Sequence, residues 1–357
     1  NPLLREMVNS LLDHIDDDGD VACLSTACWK DELRSLDRVK AGKTRLFCVG
    51  SFTLALACKM IFGDIVRNKT SLFETPSKIG INPHSAEWDH LFRFLKQHPN
   101  LFGGDCAGWD YRVRGLFLYL FKEWLKTLKV SSNHLRRLLA LACTVMGTYI
   151  VYGDHLLHRL FGVPSGHWLT SYFNTFANYC AHKIVWIYLN PDPDNLHWKD
   201  HINMAFYGDD NGGCVSKKCS SWFNMKTIED VFAKMGMGYT TPDKGDVTED
   251  FLTDDSFQFL SRNFRYEKSV GLVLGPLTWT SIVGMLAYIR KPSVWERSEQ
   301  DQLCINIEVA SRELAFYDEH SAVAAYDFLN RMISKHDLPM TKLRSFREVR
   351  RTVLGIN

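Results

Sequence analysis

Ile202-Asn203-Met204-Ala205-Phe206-Tyr207-Gly208-Asp209-Asp210-Asn211-Gly212-Gly213-Cys214-Val215 is the stretch on which the reading of this chain turns. Mostly apolar residues flank a Gly-Asp pair, the pattern of a β-hairpin with two adjacent acids at its tip. Adjacent carboxylates repel each other. An exposed tip tolerates this in water, but a partly buried one needs a cation, and a divalent metal is the natural partner. Asp-Gly turns are common and usually solvated, so the hairpin takes its weight from its surroundings.

A second acid motif lies upstream. Phe102-Gly103-Gly104-Asp105-Cys106-Ala107-Gly108-Trp109-Asp110 precedes an amphipathic run from Val113 to Leu128. It reads as a short strand, a turn and a helix, with Asp105 near the strand end and Asp110 near the helix start. The ordinary reading of Asp110 is an acid that favours the helix dipole. The sharper reading gathers Asp105, Asp209 and Asp210 from neighbouring strands to hold two Mg²⁺ ions, an arrangement that serves in-line displacement at phosphorus. Between the acid motifs, Pro164-Ser165-Gly166 is a turn signal leading into an apolar helix that runs to about Leu189. Thr170, Asn174 and Asn178 share one face of it. Polar groups on an apolar helix need partners, either backbone or a ligand. Near the start, Lys30-Asp31-Glu32-Leu33-Arg34 is followed by Arg38, Lys40, Lys43 and Arg45. These cations suit a triphosphate or a nucleic-acid backbone. A solvated charged loop is the commoner fate of such a run, and Asp31, Glu32 and Asp37 dilute it.

In this order, the motifs resemble those of the viral RNA-dependent RNA polymerases of the picorna-like group. Residues 30–34 with Gly42-Lys43-Thr44-Arg45-Leu46 look like motif F, and Gly80-Ile81-Asn82-Pro83 is similar to the segment before motif A. Asp105 to Asp110 looks like motif A; Ser165, Gly166, Thr170 and Asn174 match motif B, and Tyr207 to Asp210 matches motif C. Thr240-Thr241-Pro242-Asp243-Lys244 looks like motif D, and Phe259-Leu260-Ser261-Arg262-Asn263-Phe264-Arg265 looks like motif E. One such motif is weak; the full set in order is highly specific. The sequence departs from familiar versions at His167-Trp168-Leu169, where many relatives carry small residues, and at Asn211 and Asn263.

The resemblance implies roles. Asp105 and Asp209 become direct metal ligands, with Asp210 a secondary ligand, and the cofactor is Mg²⁺, with Mn²⁺ as a substitute. Asp110 and Asn174 read the ribose 2′-hydroxyl, supported by Ser165, Gly166 and Thr170; that hydroxyl is both donor and acceptor and separates RNA from DNA. Lys244 becomes a general acid beside the pyrophosphate, against an ordinary reading as a surface lysine after a turn. Lys30, Arg34, Lys43 and Arg45 line the nucleotide path, and Arg262 grips the primer strand. The implied partners are RNA template and primer, NTPs and, as in many relatives, a small protein primer. The implied location is the host-cell cytoplasm, at membrane-associated replication complexes.

The expected fold is α+β, a right hand. An antiparallel palm sheet backed by helices takes residues 63–147 and 163–264, fingers take 1–62 with a return at 148–162, and a helical thumb takes 265–357. Thumb helices are expected at Trp279–Ile289, Asp301–Tyr317, Ser321–Lys335 and Arg344–Leu354, separated at Pro292 and Pro339. Only a helix-like segment, Leu3 to Leu12, precedes motif F, where the family carries a long fingers region. The chain is therefore expected to be N-terminally incomplete, with segment 30–45 loosely held.

Bulk properties agree. A chain of 357 residues accommodates more than one subdomain, and a net charge of +1 means that positive charge must be concentrated locally. Ten cysteines without a C-x-x-C pair or a His at finger spacing argue against zinc and suit a reducing compartment. Leu138 to Val151 is too short and broken for a membrane span and reads as a buried helix running into a strand; no transmembrane segment is expected. Two other classes stay open. A reverse transcriptase shares the palm but normally closes its sugar site with a bulky group where Asp110 stands. A catalytically inactive RNA-binding relative would not need all three acids.

Overall fold

The structure is a computed structural model that describes residues 1–19, 21–32, 34–67, 74–113, 115–159, 162–289, 298–340 and 342–355. Leu33 of the basic motif, position 114 of the amphipathic run and Pro292 lie outside these residues. Packing divides the chain into two compact units, residues 1–80 with 98–251, and residues 81–97 with 252–357.

The first unit holds two sheets. Strands β1 (Leu24–Trp29), β2 (Leu46–Val49), β4 (Tyr149–Tyr152) and β5 (His155–His158) form one, in the order β2-β1-β4-β5. Strands β3 (Asn100–Gly104), β6 (Ile202–Tyr207) and β7 (Asp210–Val215) form the other, in the order β3-β7-β6 and antiparallel throughout. The expected hairpin is therefore present: Tyr207 pairs with Asp210, leaving Gly208 and Asp209 as the turn. Because β3 and β6 flank β7, the end of β3 lies one strand from that turn, and both acid motifs leave the same end of the sheet.

The sheet is backed by the helix Thr170–Leu189, which buries Phe173, Ala177, Ala181 and Val185 as an apolar seam. Phe102, Phe206, Phe223 and Phe232 are fully enclosed around it. A second aromatic cluster centres on Phe121, whose ring lies 5.4 Å from Phe173 and 5.1 Å from Phe176. Burying such side chains contributes roughly 1.5–3 kcal/mol each, so the backing is the principal support of the sheet. The apolar stretch at 138–151 divides as expected, into the helix Ser132–Met146 and strand β4.

The N-terminal helix, Pro2–Asp18, is longer than the expected Leu3–Leu12 because Gly19, at φ 80°, closes it by returning its N–H to Ile15. Segment 30–45, expected to be loosely held, is mostly exposed between its ends. It spans the hairpin between β1 and β2, and its ends are joined by the Lys30 N–H to Arg45 carbonyl bond of 2.9 Å.

The second unit contains the helix Glu87–Leu95, the ribbon β8 (Arg265–Glu267) with β9 (Leu272–Leu274), and the helices Trp279–Ala287, Glu299–Leu314, Glu319–Lys335 and Phe346–Leu354. Capping boxes at Ser298/Asp301 and Ser345/Glu348 open two of them. Ile307, Leu314, Tyr326, Leu329, Phe346 and Val349 form their shared core. Residues 81–97, expected in the palm, join this unit for a physical reason. Trp88 stacks on Phe264 at 4.8 Å, and the Asp89 carboxylate accepts the Val273 N–H at 2.9 Å. By packing, residues 1–80 and 98–251, which include the segments assigned to fingers, form one unit.

Candidate active site

Asp105 follows β3 and is fixed through its main chain. Its N–H donates to the Thr240 carbonyl at 3.0 Å and its carbonyl accepts the Thr240 N–H at 3.0 Å. Gly104 allows this approach, since a Cβ there would lie 2.4 Å from the Tyr239 ring and 2.5 Å from the Thr240 carbonyl oxygen. Asn211, directly after the acid pair, is 2% exposed; it donates to the Gly104 carbonyl at 2.9 Å and accepts from the Tyr239 hydroxyl at 3.1 Å. One amide thus ties the strand before Asp105 to the strand after Asp210.

The turn is held from the helix Thr170–Leu189. The Asn178 amide donates to the Gly208 carbonyl at 3.2 Å and to the Asp209 carbonyl at 2.9 Å, and the Gly208 N–H donates to the Thr175 hydroxyl at 2.8 Å. The carboxylates are relieved only in part, Asp209 by a backbone hydrogen bond and both by the charge of Lys244. Burial raises the pKa of Asp209, and Asp105 raises it further. For Asp210, burial with the charges of Asp209 and Asp105 pushes the pKa up to about 7. Lys244 is the cation nearest this cluster in the same unit, its Nζ 3.6 Å from Asp105 Oδ2. It projects from a turn with φ 69°, closed by its own N–H to the Thr241 carbonyl.

Half-buried acids, two of them with pKa values raised by burial and by the neighbouring Asp105, are a donor set for a hard divalent cation, which takes carboxylate oxygen and needs no thiol or imidazole. Among the described residues, no three His, Cys, Asp or Glu side chains are gathered closely enough to grip an ion as they stand.

Asp110 begins the short helix Trp109–Arg112. Burial raises its pKa, opposed by Arg45, Arg159 and Lys30 and by a hydrogen bond from Asn174. Arg45 Nη2 lies 4.0 Å from its carboxylate. The Asn174 carbonyl oxygen is buried without a partner, an unmet acceptor beside a carboxylate. Thr170 is occupied in supporting this helix end, its hydroxyl donating to the Pro164 carbonyl at 2.6 Å. Ser165 lends its carbonyl to the Cys48 N–H at 2.6 Å. Gly166, at φ 108°, passes so close to the Cys48 carbonyl that a Cβ would meet it at 2.7 Å. The motif B turn is thereby docked on β2, beside the basic segment.

Asp105, Asp110, Asp209 and Lys244 share a cavity of about 420 Å³ with Arg34, Arg38, Lys43 and Arg45. Lys30 stands apart from its lining, paired with Glu32 at 3.3 Å. Glu32 also holds Arg34 at 2.5 Å and lies 3.7 Å from Arg45. Burial pushes the Glu32 carboxyl up, but hydrogen bonds from Arg34 and Lys30 outweigh this and hold it below its ordinary value. The acid that dilutes the basic run in sequence thus gathers its cations in space.

Arg262 is placed differently from the expected grip on a primer strand. It is 9% exposed, and its guanidinium donates to both Glu313 oxygens at 2.7 and 2.8 Å and to the Gly275 carbonyl at 2.6 Å. Both of its Nη groups are engaged within the second unit. A larger groove of about 1510 Å³ in that unit, lined by Arg331, Lys335, Lys342 and Arg347, lacks a comparable set of acids.

Sequence reasoning missed Thr175, Tyr239 and Arg159; it named Asn178 in the polar stripe and Asn211 as a departure, without giving either a role at the turn. Asn178 carried a signal, its place in the i, i+4, i+8 polar stripe. Arg159 donates to the Val163 carbonyl at 2.7 Å beside Asp110, and nothing in its local sequence marks it.

This geometry agrees with comparison to known proteins. Residues 16–335 match the family model of viral RNA-dependent RNA polymerase, and the chain belongs to that family. It is 27% identical over 309 residues to the replicase polyprotein of Cricket paralysis virus, covering 81% of this chain and 17% of that protein. It is 28% identical over 321 residues to the replicase polyprotein of Acute bee paralysis virus, covering 86% of this chain and 16% of that protein. The genome polyprotein of Rice tungro spherical virus is 28% identical over 342 residues, covering 91% of this chain and 10% of that protein. The chain thus spans less than a fifth of the length of these relatives. Among solved structures, the Sicinivirus 3Dpol RNA dependent RNA polymerase is similar with a TM-score of 0.80 and 18% identity, covering 99% of this chain and 71% of that one. The α+β right-hand polymerase fold expected from the sequence is the fold of this chain.

Proposed function

We propose that this chain catalyses RNA-templated addition of ribonucleotides to an RNA 3′ end, in replication of a positive-strand RNA virus genome. The observation that carries this reading is the shared cavity, in which Asp105, Asp209 and Asp110 face Arg34, Arg38, Lys43 and Arg45. The acids suit metal ions and the cations suit a triphosphate.

Mg²⁺, or Mn²⁺ in its place, would be held by Asp105, Asp209 and Asp210 and would supply charge neutralisation at phosphorus and activation of the attacking hydroxyl. The chain's own residues do the rest. Arg34, Arg38, Lys43 and Arg45 bind and orient the triphosphate. The Asn174 carbonyl accepts a hydrogen bond from the ribose 2′-hydroxyl and the Asp110 carboxylate accepts one from a second sugar hydroxyl, so a deoxyribose leaves the buried Asn174 acceptor unmet. Lys244, held near Asp105, donates a proton to the leaving pyrophosphate oxygen. Substrates are the RNA template, primer and NTPs, and a small protein primer is compatible with the same chemistry. We place the activity in the host-cell cytoplasm at membrane-associated replication complexes; among the described residues, no helix is long and apolar enough to cross a membrane.

Primer extension by the full-length protein tests the reading, with ribonucleotides or deoxyribonucleotides and with or without Mg²⁺. Mg²⁺-dependent ribonucleotide addition is expected. Preferential use of deoxyribonucleotides would mark a reverse transcriptase, and RNA binding without extension an inactive relative.

A further inference from the structure

Asp110 sits in a helix of one turn, Trp109–Arg112. A single turn has no cooperative stability of its own, and its last carbonyls find no partners within it. They are met here by the segment that leads from β5 into the motif B turn. The Val163 N–H donates to the Asp110 carbonyl at 2.9 Å, and the Gly162 N–H donates to the Val113 carbonyl at 2.9 Å. The two segments run so close that a Cβ at Gly162 would lie 2.1 Å from the Asp110 carbonyl oxygen. Arg159 closes this contact. Its main-chain N–H donates to the Thr148 carbonyl at 3.1 Å. Its Nη1 donates to the Val163 carbonyl at 2.7 Å, and its Nη2 reaches the Asp110 carbonyl at 3.5 Å.

The same guanidinium acts on the Asp110 carboxyl. Burial pushes that carboxyl up, and Arg45, Arg159 and Lys30 oppose the rise. Arg45 and Lys30 are shared with Glu32, whereas the hydrogen bonds of the Arg159 guanidinium go to main-chain carbonyls. Arg112, on the same turn as Asp110, lies against Gly108 and Gly238. The other titratable groups facing Asp110 are Asp209 at the acid turn and the Cys48 thiol on β2. An ionised carboxylate only accepts hydrogen bonds, so the one it shares with Asn174 comes from the amide NH₂. That leaves the Asn174 carbonyl oxygen as the unmet acceptor.

We propose that Arg159 is a positioning residue for sugar choice: it clamps the Asp110 main chain to the motif B turn and keeps the Asp110 carboxylate as the acceptor that aims the Asn174 amide. The proposal rests on the polymerase reading above. An amide aimed in this way presents its carbonyl oxygen to the ribose. Without Arg159, Asp110 is held less firmly and takes up a proton more readily, and the amide loses its fixed direction.

The test uses the full-length protein with Mg²⁺ and measures addition efficiency for one ribonucleotide and its 2′-deoxy counterpart across pH. Arg159→Met keeps the length and removes charge and donors, and Arg159→Lys keeps the charge and a donor. Arg159→Met should narrow the ribonucleotide preference about 3- to 10-fold, the order of one hydrogen-bonded contact. Arg159→Lys should restore most of it. Loss of a cation raises the Asp110 carboxyl, so on acidification the preference should fall away at higher pH in Arg159→Met than in the unsubstituted protein. With Asn174 already replaced by alanine, Arg159→Met should change the preference no further. An unchanged preference, an equal fall for both sugars, a lysine variant no better than methionine, or a further narrowing on top of Asn174→Ala would overturn the proposal. If Arg159→Met fails to fold, Arg159→Gln decides, since it keeps a donor for the Val163 carbonyl without the charge. A pH profile of preference in Arg159→Gln that coincides with the unsubstituted one would overturn the proposal. Failure of the polymerase reading is separate: the unsubstituted protein would then extend with neither sugar.

Discussion

The acid turn between β6 and β7 holds two half-buried carboxylates and the Arg262–Glu313 pair one buried carboxylate, and they handle their charge in opposite ways. At the turn, Asp209 and Asp210 receive main-chain support but little opposing charge, and Asp210 is pushed up to about 7. In the second unit, burial pushes the Glu313 carboxyl up, but hydrogen bonds from His84 and Arg262 outweigh it and hold it at about 2. Glu313 is a finished ion pair whose charge is spent on the fold. The acid turn leaves charge to be met by something that arrives. Partly buried charge with little compensation beside a cavity is the better mark of a working site, whereas a closed pair is more often structural.

The contrast can be broken most simply at its functional side. Asp209→Ala should abolish nucleotide addition while leaving RNA binding largely intact, measured by primer extension beside RNA affinity. Addition at near wild-type rate would return the acid turn to a structural role. Lys244→Leu should slow the chemical step by about 10²–10⁴-fold, the usual scale of general acid catalysis. Single-turnover kinetics would read this, and a loss limited to nucleotide affinity would make Lys244 a charge anchor.

At the structural side, Glu313→Gln should cost roughly 3 kcal/mol at neutral pH, the equivalent of its downward shift. A depressed carboxylate stabilises above its unfolded value and loses that contribution as pH falls through its folded one. The gap between wild type and variant in thermal midpoint should therefore close between about pH 4.5 and pH 2. A gap that does not change with pH would mean that the ion pair is not its source. Catalytic constants of any folded Glu313→Gln protein should stay close to wild type. The smallest effect is expected at the sugar. Asn174→Ala should reduce preference for ribonucleotides about tenfold, the order of one hydrogen-bonded contact. An unchanged preference ratio would make Asn174 purely structural.

Much of the functional side was legible in sequence because it is local. The hairpin is written in Tyr207-Gly208-Asp209-Asp210 and its flanks, and the polar stripe of Thr170, Asn174 and Asn178 follows from helical spacing. The ordering of the motifs carried the family. What stayed hidden is non-local. Glu32 looks like an interruption of a basic run until β1 and β2 bring Lys30, Arg34 and Arg45 around it. Arg262 sits inside a recognisable motif, but its partner Glu313 is distant in sequence and lies on an otherwise ordinary helix face. Residues 81–97 change unit because Trp88 and Asp89 find Phe264 and Val273, contacts that no local pattern announces. Asn211 departs from familiar versions of its motif, yet its side chain closes the link between the two acid strands.

The central claim is that charge at the acid turn awaits a cation while charge at Glu313 does not. Adding Mg²⁺ to the full-length protein and following amide hydrogen exchange tests it most directly. Exchange should slow at residues 105–107 and 208–211 in the wild type but not in Asp209→Asn, and should stay unchanged at 310–315 in both. Equal protection in the two proteins, or none at the turn, would contradict the account.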